Sequence, residues 1–304
     1  MTKYNTFGLV WHSPDLDLSP LNKDFSDRTV DVFIKESEEI KYINLKNKDN
    51  TPFICIGENQ LLIDLENIGK FKISNGNEIL WNRSNKFITD DDIRPFIMGS
   101  CFGAVLIQRG LLVLHGNALE KNNKAIICLG HSGDGKSTLA YALVKNGWKL
   151  ISDDLVALDE NHNVLPGVPQ IKLWQDVLEG FNVKFKKLPR VRNKLNKFYI
   201  ACESSKQKKS LTKLNSIFIL SNNENSFEKE KFSLQELNTE KEKLILLRNR
   251  TYRPRFVRGL GKEGPNFAKL NKLIKSFDIK NLLVPRDLTK LVYKLNNIDL
   301  IDKV

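Results

Sequence analysis

The sequence has few cysteines, and none of them are paired in a motif. They lie far apart along the chain, at Cys55, Cys101, Cys128 and Cys202. No two form a C-x-x-C pair, which argues against a disulfide framework and against a cysteine zinc site. The four histidines show no spacing typical of zinc ligands either. Structural metal and redox functions are therefore not indicated.

Long apolar runs are also missing. No stretch reaches the roughly 18–20 consecutive apolar residues that a membrane-spanning helix needs, and Met1–Ser13 lacks the basic-then-apolar order of a signal peptide. We therefore expect no membrane segment and a cytoplasmic location. Hydrophobic residues make up 41% of the 304 positions, which suffices for a folded core.

Charge is plentiful and uneven. The 48 Lys and Arg residues exceed the 36 Asp and Glu residues, for a net charge of +12. Residues 1–100 hold 12 basic and 16 acidic side chains, so a net +16 lies in the remainder. Such a surplus favours an acidic partner, namely a nucleotide, a nucleic acid or an acidic peptide, although scattered lysines on a solvated surface would give the same count.

Up to about Asp92 the chain consists of short apolar runs, including Thr6–Trp11, Val30–Ile34 and Leu61–Leu65, separated by Gly and Asn/Asp clusters. The segment Gly69–Trp81 predicts a hairpin closed by an Asn-Gly turn. We therefore predict a small β-rich N-terminal module over residues 1–95.

A second kind of pattern follows. The three acids at 90–92 predict the start of a buried helix over Ile93–Gln108. Then come a strand at Leu111–Leu114, a strand at Ala125–Leu129, a helix over Ser137–Lys145 and a strand at Trp148–Ser152. Strand, glycine loop, helix and strand in this order predict an α/β domain over residues 96–304.

The remainder of the chain is basic and then helical. Eleven basic residues and one acid lie between Lys184 and Lys213, around a Ser/Lys/Gln tract at Ser204–Ser210, and we expect this region to be a loop. Further helices are predicted over Asn266–Lys275 and Asp287–Leu295.

The sharpest motif is the segment Gly130–Ser137, with the sequence GHSGDGKS, which satisfies G-x-x-x-x-G-K-[ST]. It leaves an apolar strand and enters a helix, as a phosphate-binding loop does. Glycines permit a backbone whose amides converge on an anion, and the helix adds the positive end of its dipole. The predicted nucleotide-binding residues are Gly130, Ser132, Gly133, Asp134, Gly135, Lys136, Ser137 and Thr138.

Within this loop, Lys136 is expected to reach the β and γ phosphates of ATP, and the Ser137 hydroxyl is expected to bind Mg²⁺. Two acids, Asp153 and Asp154, end the strand that follows the helix. Because strand ends of a parallel sheet open at one edge, we expect these acids beside the phosphate loop. One could hold the metal, and the other could accept the proton of an attacking hydroxyl.

His115-Gly116 ends the strand at Leu111–Leu114, so His115 can point to the same edge if the strands are neighbours. A histidine near a carboxylate can orient that carboxylate or adjust its pKa. A single histidine at a strand end is more often simply a hydrogen-bonded residue, so a functional role for His115 needs the support of the resemblance described next.

Together, His115-Gly116, the loop Gly130–Ser137 and the segment Ile151–Asp154 resemble the catalytic domain of bacterial HPr kinase/phosphorylase, including the spacings. The resemblance implies an α/β P-loop core like the nucleotide-binding part of phosphoenolpyruvate carboxykinase, and ATP- and Mg²⁺-dependent phosphorylation of a serine hydroxyl. It also implies that Asp154 accepts the proton, that Asp153 lies at the metal and that His115 modulates the base.

The sequence departs from that family at several points. Thr138 stands where HPr kinases usually carry an acid, and the metal-binding glutamate motif does not follow Pro166-Gly167. Pro166–Trp174 and Leu247–Arg253 instead resemble stand-alone HPr-kinase-like proteins, some of which phosphorylate a serine on a ribosomally made peptide. The expected partner is thus a serine-bearing protein, peptide or small molecule, and a homo-oligomer is left open.

Five arginines lie within eleven residues near the C-terminus and could bind phosphates or an acidic substrate: Arg248, Arg250, Arg253, Arg255 and Arg258. Arg253 is the first choice because it lies in the segment shared with the stand-alone proteins, and Lys172 is a second candidate. The alternatives to a kinase are a P-loop ATPase and a nucleotide-dependent nucleic-acid-binding regulator. The basic stretch has few aromatic residues, which argues against nucleic acid.

Overall fold

The fold is taken from a computed structural model. It describes residues 2–40, 47–48, 54–57, 59–192, 195–202, 211–221, 233–285, 291 and 300. The predicted tract at Ser204–Ser210 and, apart from Leu291, the predicted helix at Asp287–Leu295 lie outside these residues.

The strands within the described residues are β1 (Lys3–Thr6), β2 (Leu9–His12), β3 (Asn22–Lys23), β4 (Val32–Glu36), β5 (Asn47–Lys48), β6 (Ile54–Gly57), β7 (Gln60–Leu65), β8 (Gly69–Ser74), β9 (Glu78–Arg83), β10 (Leu112–Leu114), β11 (Gly116–Lys121), β12 (Lys124–Leu129), β13 (Lys149–Ser152), β14 (Val156–Leu158), β15 (Asn163–Val164), β16 (Gln170–Trp174), β17 (Lys197–Ala201), β18 (Thr212–Ser221), β19 (Ser233–Glu236) and β20 (Asp278–Leu283).

The helices in the same part of the chain are α1 (Asp90–Phe96), α2 (Phe102–Gln108), α3 (Lys136–Lys145), α4 (Gln175–Gly180), α5 (Glu240–Asn249), α6 (Pro254–Gly259) and α7 (Glu263–Ser276). A π-helical turn, Ile97–Cys101, joins α1 to α2. The mixed α/β class predicted from the sequence is confirmed. Among the described residues, no helix has both the length and the apolar character needed to span a membrane.

The chain forms two compact units. The first contains residues 1–113 and 252–268, and the second contains residues 114–251 and 269–304. The domain boundary predicted between residues 95 and 96 stays a prediction.

The first unit is built on a sheet with the order β3-β1-β2-β4-β9-β8-β7-β6-β5. Its core includes Trp11, whose ring stacks on Phe102 with centroids 4.0 Å apart. The predicted hairpin is present, and Asn75 and Gly76 both have the positive φ that its turn requires. The apolar run Thr6–Trp11 spans a turn rather than one strand, because Phe7 and Gly8, with φ values of 53° and 74°, connect β1 to β2.

In the second unit the sheet runs β14-β15-β18-β12-β11-β13, with β20 and β19 continuing from β18. The strands β12, β18 and β20 are parallel to one another. In contrast, β11 is antiparallel to both of its neighbours, β12 and β13. The expectation of a parallel arrangement at this point is thus wrong, because a strand not predicted from the sequence, β11, lies between β12 and β13.

The helix α3 contacts β11 and β16. Its buried residues include Leu139, Ala142 and Leu143, which join a core shared with Ile126 and Phe218 of the sheet. The expectation of a loop over the whole basic region Lys184–Lys213 is also wrong. Within it, β17 pairs with β16 to form an antiparallel hairpin.

Candidate active site

The candidate site lies at one edge of the second sheet, where three strands begin or end. Gly116, the first residue of β11, pairs with Leu129, the last residue of β12. Ala118 of β11 pairs with Ser152, the last residue of β13. Since β11 is antiparallel to both neighbours, the start of β11 and the ends of β12 and β13 meet at the same edge. The insertion of β11 therefore preserves the predicted approach of the phosphate loop to the acids.

Gly116 is required by the close approach of β11 to β12. A Cβ atom at this position would lie 2.4 Å from the backbone oxygen of Cys128 and 2.6 Å from Cδ2 of Leu129. Any other residue would push the two strands apart. The glycine of the His115-Gly116 pair thus has a packing explanation, and His115 precedes β11 rather than merely ending β10.

The phosphate loop connects β12 to α3. Gly133 and Gly135 have φ values of 93° and 85°, the left-handed region that other residues rarely adopt. The Asp134 carboxylate accepts a hydrogen bond from the His131 amide, and the Asp134 amide donates to the His131 carbonyl. Asp134 therefore stabilises the loop from within.

Two further loop positions differ in exposure. Ser132 is exposed at the tip of the loop, whereas Thr138 is half-buried in the first turn of α3. The preceding residue, Ser137, directs its hydroxyl toward the acids. A ligand could therefore reach Ser132 from solvent, while Ser137 contributes from inside the site.

The Lys136 side chain folds back along the loop. Its ammonium donates hydrogen bonds to the carbonyl oxygens of Gly130 and His131, at 3.0 and 2.7 Å. Burial lowers its pKa, while the negative charges of Asp154, Asp134 and Asp153 oppose this change. Lys136 is only 7% exposed. Its positive charge therefore lies within the loop.

Asp153 is the more deeply enclosed of the two acids. Its Oδ1 accepts hydrogen bonds from Asn117 Nδ2 at 2.8 Å and Ser137 Oγ at 3.3 Å, and its Oδ2 accepts one from the Lys172 amide at 3.1 Å. Burial, together with the neighbouring charge of Asp154, raises its pKa to about 6. Burial and the Asp154 charge make the ionised form of Asp153 unfavourable, and a bound cation would relieve this. Asp153 is therefore suited to binding a cation.

Asp154 has a different environment. Its φ of 67° is in the left-handed region, which is strained for a residue other than glycine. Burial disfavours its charge, but the Lys172 ammonium, 2.8 Å from Oδ2, outweighs this and lowers the Asp154 pKa. The charges of His115 and Lys197 act in the same direction. Asp154 is therefore ionised at neutral pH.

His115 contacts Asp154 through the backbone. Its Nδ1 lies 3.0 Å from the Asp154 carbonyl oxygen, and its amide donates to the Arg250 carbonyl at 2.7 Å. The structure thus brings His115 to the acids, where it can fix the strained backbone that presents the Asp154 carboxylate.

One residue of the site, Asn117, was not predicted from the sequence, and another, Lys172, was assigned a different partner. Asn117 lies on β11, and its position two residues after His115 would have indicated the same strand face if that strand had been recognised. Lys172 was named only as a second candidate for binding phosphates or an acidic substrate, whereas in the structure it pairs with Asp154.

The arginines divide between the two units. Arg253 belongs to the first unit, where it precedes α6 with a φ of 42° and lies over the rings of Tyr252 and Phe256. Arg250 belongs to the second unit and is 7% exposed, and the charge of Asp134 opposes the lowering of its pKa by burial. Within the described residues its Nε has no hydrogen-bond partner. The role given to Arg253 stays a prediction, and the charge of Arg250 interacts with that of Asp134 in the phosphate loop.

The residues at this edge fit Mg²⁺ and a nucleotide. Ser137 Oγ and Asp153 Oδ1 lie together, and the nearby Asn117 Oδ1 is a buried oxygen with no partner among the described residues. Oxygen donors of this kind suit Mg²⁺, which usually takes one or two carboxylates and completes its coordination with water and phosphate. The described residues form no cluster of three or more His, Cys, Asp or Glu side chains that could hold a metal without such ligands.

Sequence comparison finds curated proteins that are similar to part of this chain. Two curated proteins named HPr kinase/phosphorylase, from the Eklund 17B and Alaska E43 strains of Clostridium botulinum, are each 35% identical to the chain over 71 residues. These residues are 23% of this chain and 23% of each relative, so the matched segment spans about a quarter of the length of those proteins.

A solved structure of the HPr(Ser) kinase/phosphatase from Coxiella burnetii aligns with 61% of this chain and 93% of its own, at 11% identity and a TM-score of 0.29. No family model matches the chain. The resemblance predicted from the motifs is confirmed by the sequence matches: a 71-residue segment of this chain is similar to HPr kinase/phosphorylase.

Proposed function

We propose that the protein is an ATP- and Mg²⁺-dependent kinase that phosphorylates a serine-type hydroxyl on a protein, peptide or small molecule. The observation that carries the proposal is the contact between Ser137 Oγ and Asp153 Oδ1, 3.3 Å apart, which joins the phosphate loop to the paired acids. The similarity to HPr kinase/phosphorylase supports it, and implies a core like that of phosphoenolpyruvate carboxykinase.

In this proposal each side chain has a defined task. The amides of Gly133 and Gly135 and the ammonium of Lys136 bind the phosphates of ATP, and Lys136 exchanges its two carbonyl partners for phosphate oxygens. Ser137 and Asp153 hold Mg²⁺, with Asn117 beside them. When bound, Mg²⁺ supplies positive charge to the phosphate oxygens during transfer.

Asp154 acts on the acceptor. Its carboxylate takes the hydroxyl proton as the acceptor oxygen bonds to the γ phosphorus and the bond to the β–γ bridging oxygen breaks, leaving ADP and a phosphate ester. Lys172 keeps this carboxylate ionised and fixes its direction, and His115 holds the backbone behind it. Phosphoryl transfer depends mostly on positioning and charge. The orientation and negative charge of Asp154 should therefore contribute more to the rate than a high basicity would.

Transfer of labelled γ-phosphate tests the proposal. Wild type, Asp154→Asn and Asp176→Asn proteins would be incubated with ATP, Mg²⁺ and serine peptides with acidic, neutral or basic flanking residues. Asp176 is an exposed acid of α4 and serves as the matched control. We expect wild type and Asp176→Asn to label an acceptor, and Asp154→Asn to be slower by about 10²–10⁴-fold, the usual contribution of a general base.

Hydrolysis of ATP is the competing activity, with water in place of the hydroxyl. Release of free phosphate at equal rates by wild type and Asp154→Asn, with no label on any peptide, would refute the kinase mechanism.

A further inference from the structure

The hairpin formed by β16 and β17 presents two different faces. In the antiparallel register, Lys172 pairs with Tyr199 and Trp174 pairs with Lys197. Alternate residues of the same strands, Ile171, Leu173 and Phe198, are buried in the core. Successive side chains of a strand point to opposite faces of a sheet. The two register pairs named first, Lys172 with Tyr199 and Trp174 with Lys197, therefore share the face turned away from this core. We call these four, Lys172, Trp174, Lys197 and Tyr199, the hairpin face.

The hairpin face begins at the candidate active site. Lys172 binds the Asp154 carboxylate at 2.8 Å, and the charge of Lys197 contributes to the lowered Asp154 pKa. Trp174 lies two residues beyond Lys172 on the same strand, which is about 7 Å along the chain direction. A segment bound along this face would therefore have one end at Asp154 and contact Trp174 about two residues away.

Trp174 is unusually accessible. It is 49% exposed, while the other three tryptophans of the chain are at most 4% exposed. The Lys197 ammonium lies 5.2 Å from the centre of its ring, so an aromatic surface and a positive charge are presented together. Tryptophan is enriched among the residues that dominate binding energy at protein interfaces.

Positive charge continues beside the hairpin. The segment 189–191 runs along β17, with hydrogen bonds from the Val191 amide to the Lys197 carbonyl and from the Tyr199 amide to the Pro189 carbonyl. Between residues 181 and 192 there is no acidic residue. The exposed basic side chains of this stretch are Lys184, Lys186, Lys187 and Arg190.

We propose that the hairpin face and these basic residues bind an acidic peptide segment that carries the acceptor hydroxyl. The inference rests on the proposed kinase function and names its substrate class. Positive charge next to the transfer site would attract acidic side chains flanking the serine, and Trp174 would pack against an apolar side chain between them. Among the aromatic residues of the hairpin face and of residues 181–192, only Trp174 is exposed, so this surface offers one ring for a stacked base and matches a nucleic acid less well than a peptide.

Binding can be measured without catalysis. A serine peptide flanked by Asp and Glu, and its counterpart with Asn and Gln, would be added to the protein without ATP while acrylamide quenching of tryptophan fluorescence is recorded. Because the other tryptophans are buried, quenching reports mainly Trp174. We expect the acidic peptide to protect Trp174 and the neutral one to have at most a weak effect. Equal protection by both peptides, or by neither, would overturn the proposal.

Variants connect this binding to turnover. Lys197→Glu is expected to raise the KM for the acidic peptide at least tenfold. The double variant Lys186→Glu, Lys187→Glu is expected to raise the same KM and to leave the KM for ATP unchanged, because neither lysine belongs to the proposed nucleotide site. Lys241→Glu, at an exposed position of α5, is the matched control and is expected to leave both constants unchanged. Unchanged peptide KM in both hairpin-side variants would overturn the proposal.

The two proposals fail in different ways. Protection of Trp174 by the acidic peptide without any phosphorylation would refute the kinase function but support the binding surface. Phosphorylation of serine peptides irrespective of their charge would support the kinase and refute the acidic substrate class. Stronger protection by an oligonucleotide than by the peptide would assign the surface to nucleic acid and overturn the inference.

Discussion

Replacing Lys172 by methionine tests how the two acids are held in the protein without ligand. The Lys172 ammonium and the Asp154 carboxylate are 2.8 Å apart, and their side chains are 22% and 31% exposed. Methionine retains much of the apolar stem and removes the charge. Asp154 would then lie beside Asp153 without its principal counter-charge, and the protein should lose stability.

The magnitude follows from the partial burial of the pair. Removing one partner of a buried ion pair costs about 3–5 kcal/mol, whereas an exposed pair contributes about 0–1 kcal/mol. Because both side chains retain some contact with water, we expect Lys172→Met to lower the free energy of unfolding by about 2–3 kcal/mol at pH 7.

The loss should depend on pH. Lys172 lowers the Asp154 pKa in the folded protein below its ordinary value of 3.8. The resulting stabilisation is present above that value and is lost as the pH falls through the folded-state pKa. In the variant, burial and the charge of Asp153 favour the neutral form of Asp154, so Asp154 takes up a proton at a higher pH than in wild type and the difference in stability should shrink from pH 7 toward pH 4.

Urea denaturation followed by circular dichroism, in EDTA and without nucleotide, measures this difference. Lys280→Met is the control, because Lys280 pairs with Glu236 and Asp278, whose side chains are 67% and 34% exposed. It should cost less than about 1 kcal/mol. The reasoning is refuted if Lys172→Met costs no more than Lys280→Met at pH 7, or if its cost is the same at pH 4.

Three other predictions concern single positions. Gly116→Ala should destabilise the protein by about 1–3 kcal/mol, because its Cβ would lie 2.4 Å from a backbone oxygen; in thermal melts Gly264→Ala, which meets nothing within 4 Å, should be near neutral, and equal melting temperatures would contradict this. Burial raises the pKa of Cys128 and Cys202 to about 12, so mass spectrometry should find both alkylated by iodoacetamide at pH 8 at least about 100-fold more slowly than free cysteine, and rapid labelling would contradict their burial. Arg250→Met removes a buried guanidinium whose Nε has no hydrogen-bond partner within the described residues, so it should leave the melting temperature of the ligand-free protein unchanged or raised. Because the Arg250 charge interacts with Asp134 of the phosphate loop, we expect the variant to slow phosphoryl transfer at least tenfold, and unchanged transfer would exclude Arg250 from the reaction.

The parts of the fold that the sequence predicts are those specified by local chemistry. Gly133 and Gly135 are needed for the path of the loop, and Asn75-Gly76 closes a hairpin by its own backbone preference. The helix α3 was also predicted, because its apolar residues and Gly147, which follows its last turn, lie within one short segment of the sequence. These features require no distant partner.

The parts that were missed depend on pairing between distant segments. The strand β11, with the sequence GNALEK, contains few residues that favour strands, and it is held by β12 and β13 on either side. Similarly, β17 was assigned to a basic loop, because its pairing with β16 is not evident from charge composition. The ion pair of Lys172 with Asp154 joins β16 to the residues after β13, 18 positions apart in the sequence, so neither segment alone predicts it.

Nucleotide binding at the sheet edge is the most direct test of the proposed chemistry. Calorimetric titration with ATP, with and without Mg²⁺, would compare wild type with Lys136→Met and with Lys145→Met at the other end of α3. We predict that Mg²⁺ strengthens ATP binding by wild type, that Lys136→Met weakens it at least tenfold, and that Lys145→Met leaves it unchanged. Absence of ATP binding by wild type, or equal binding by Lys136→Met, would contradict a nucleotide site at this edge.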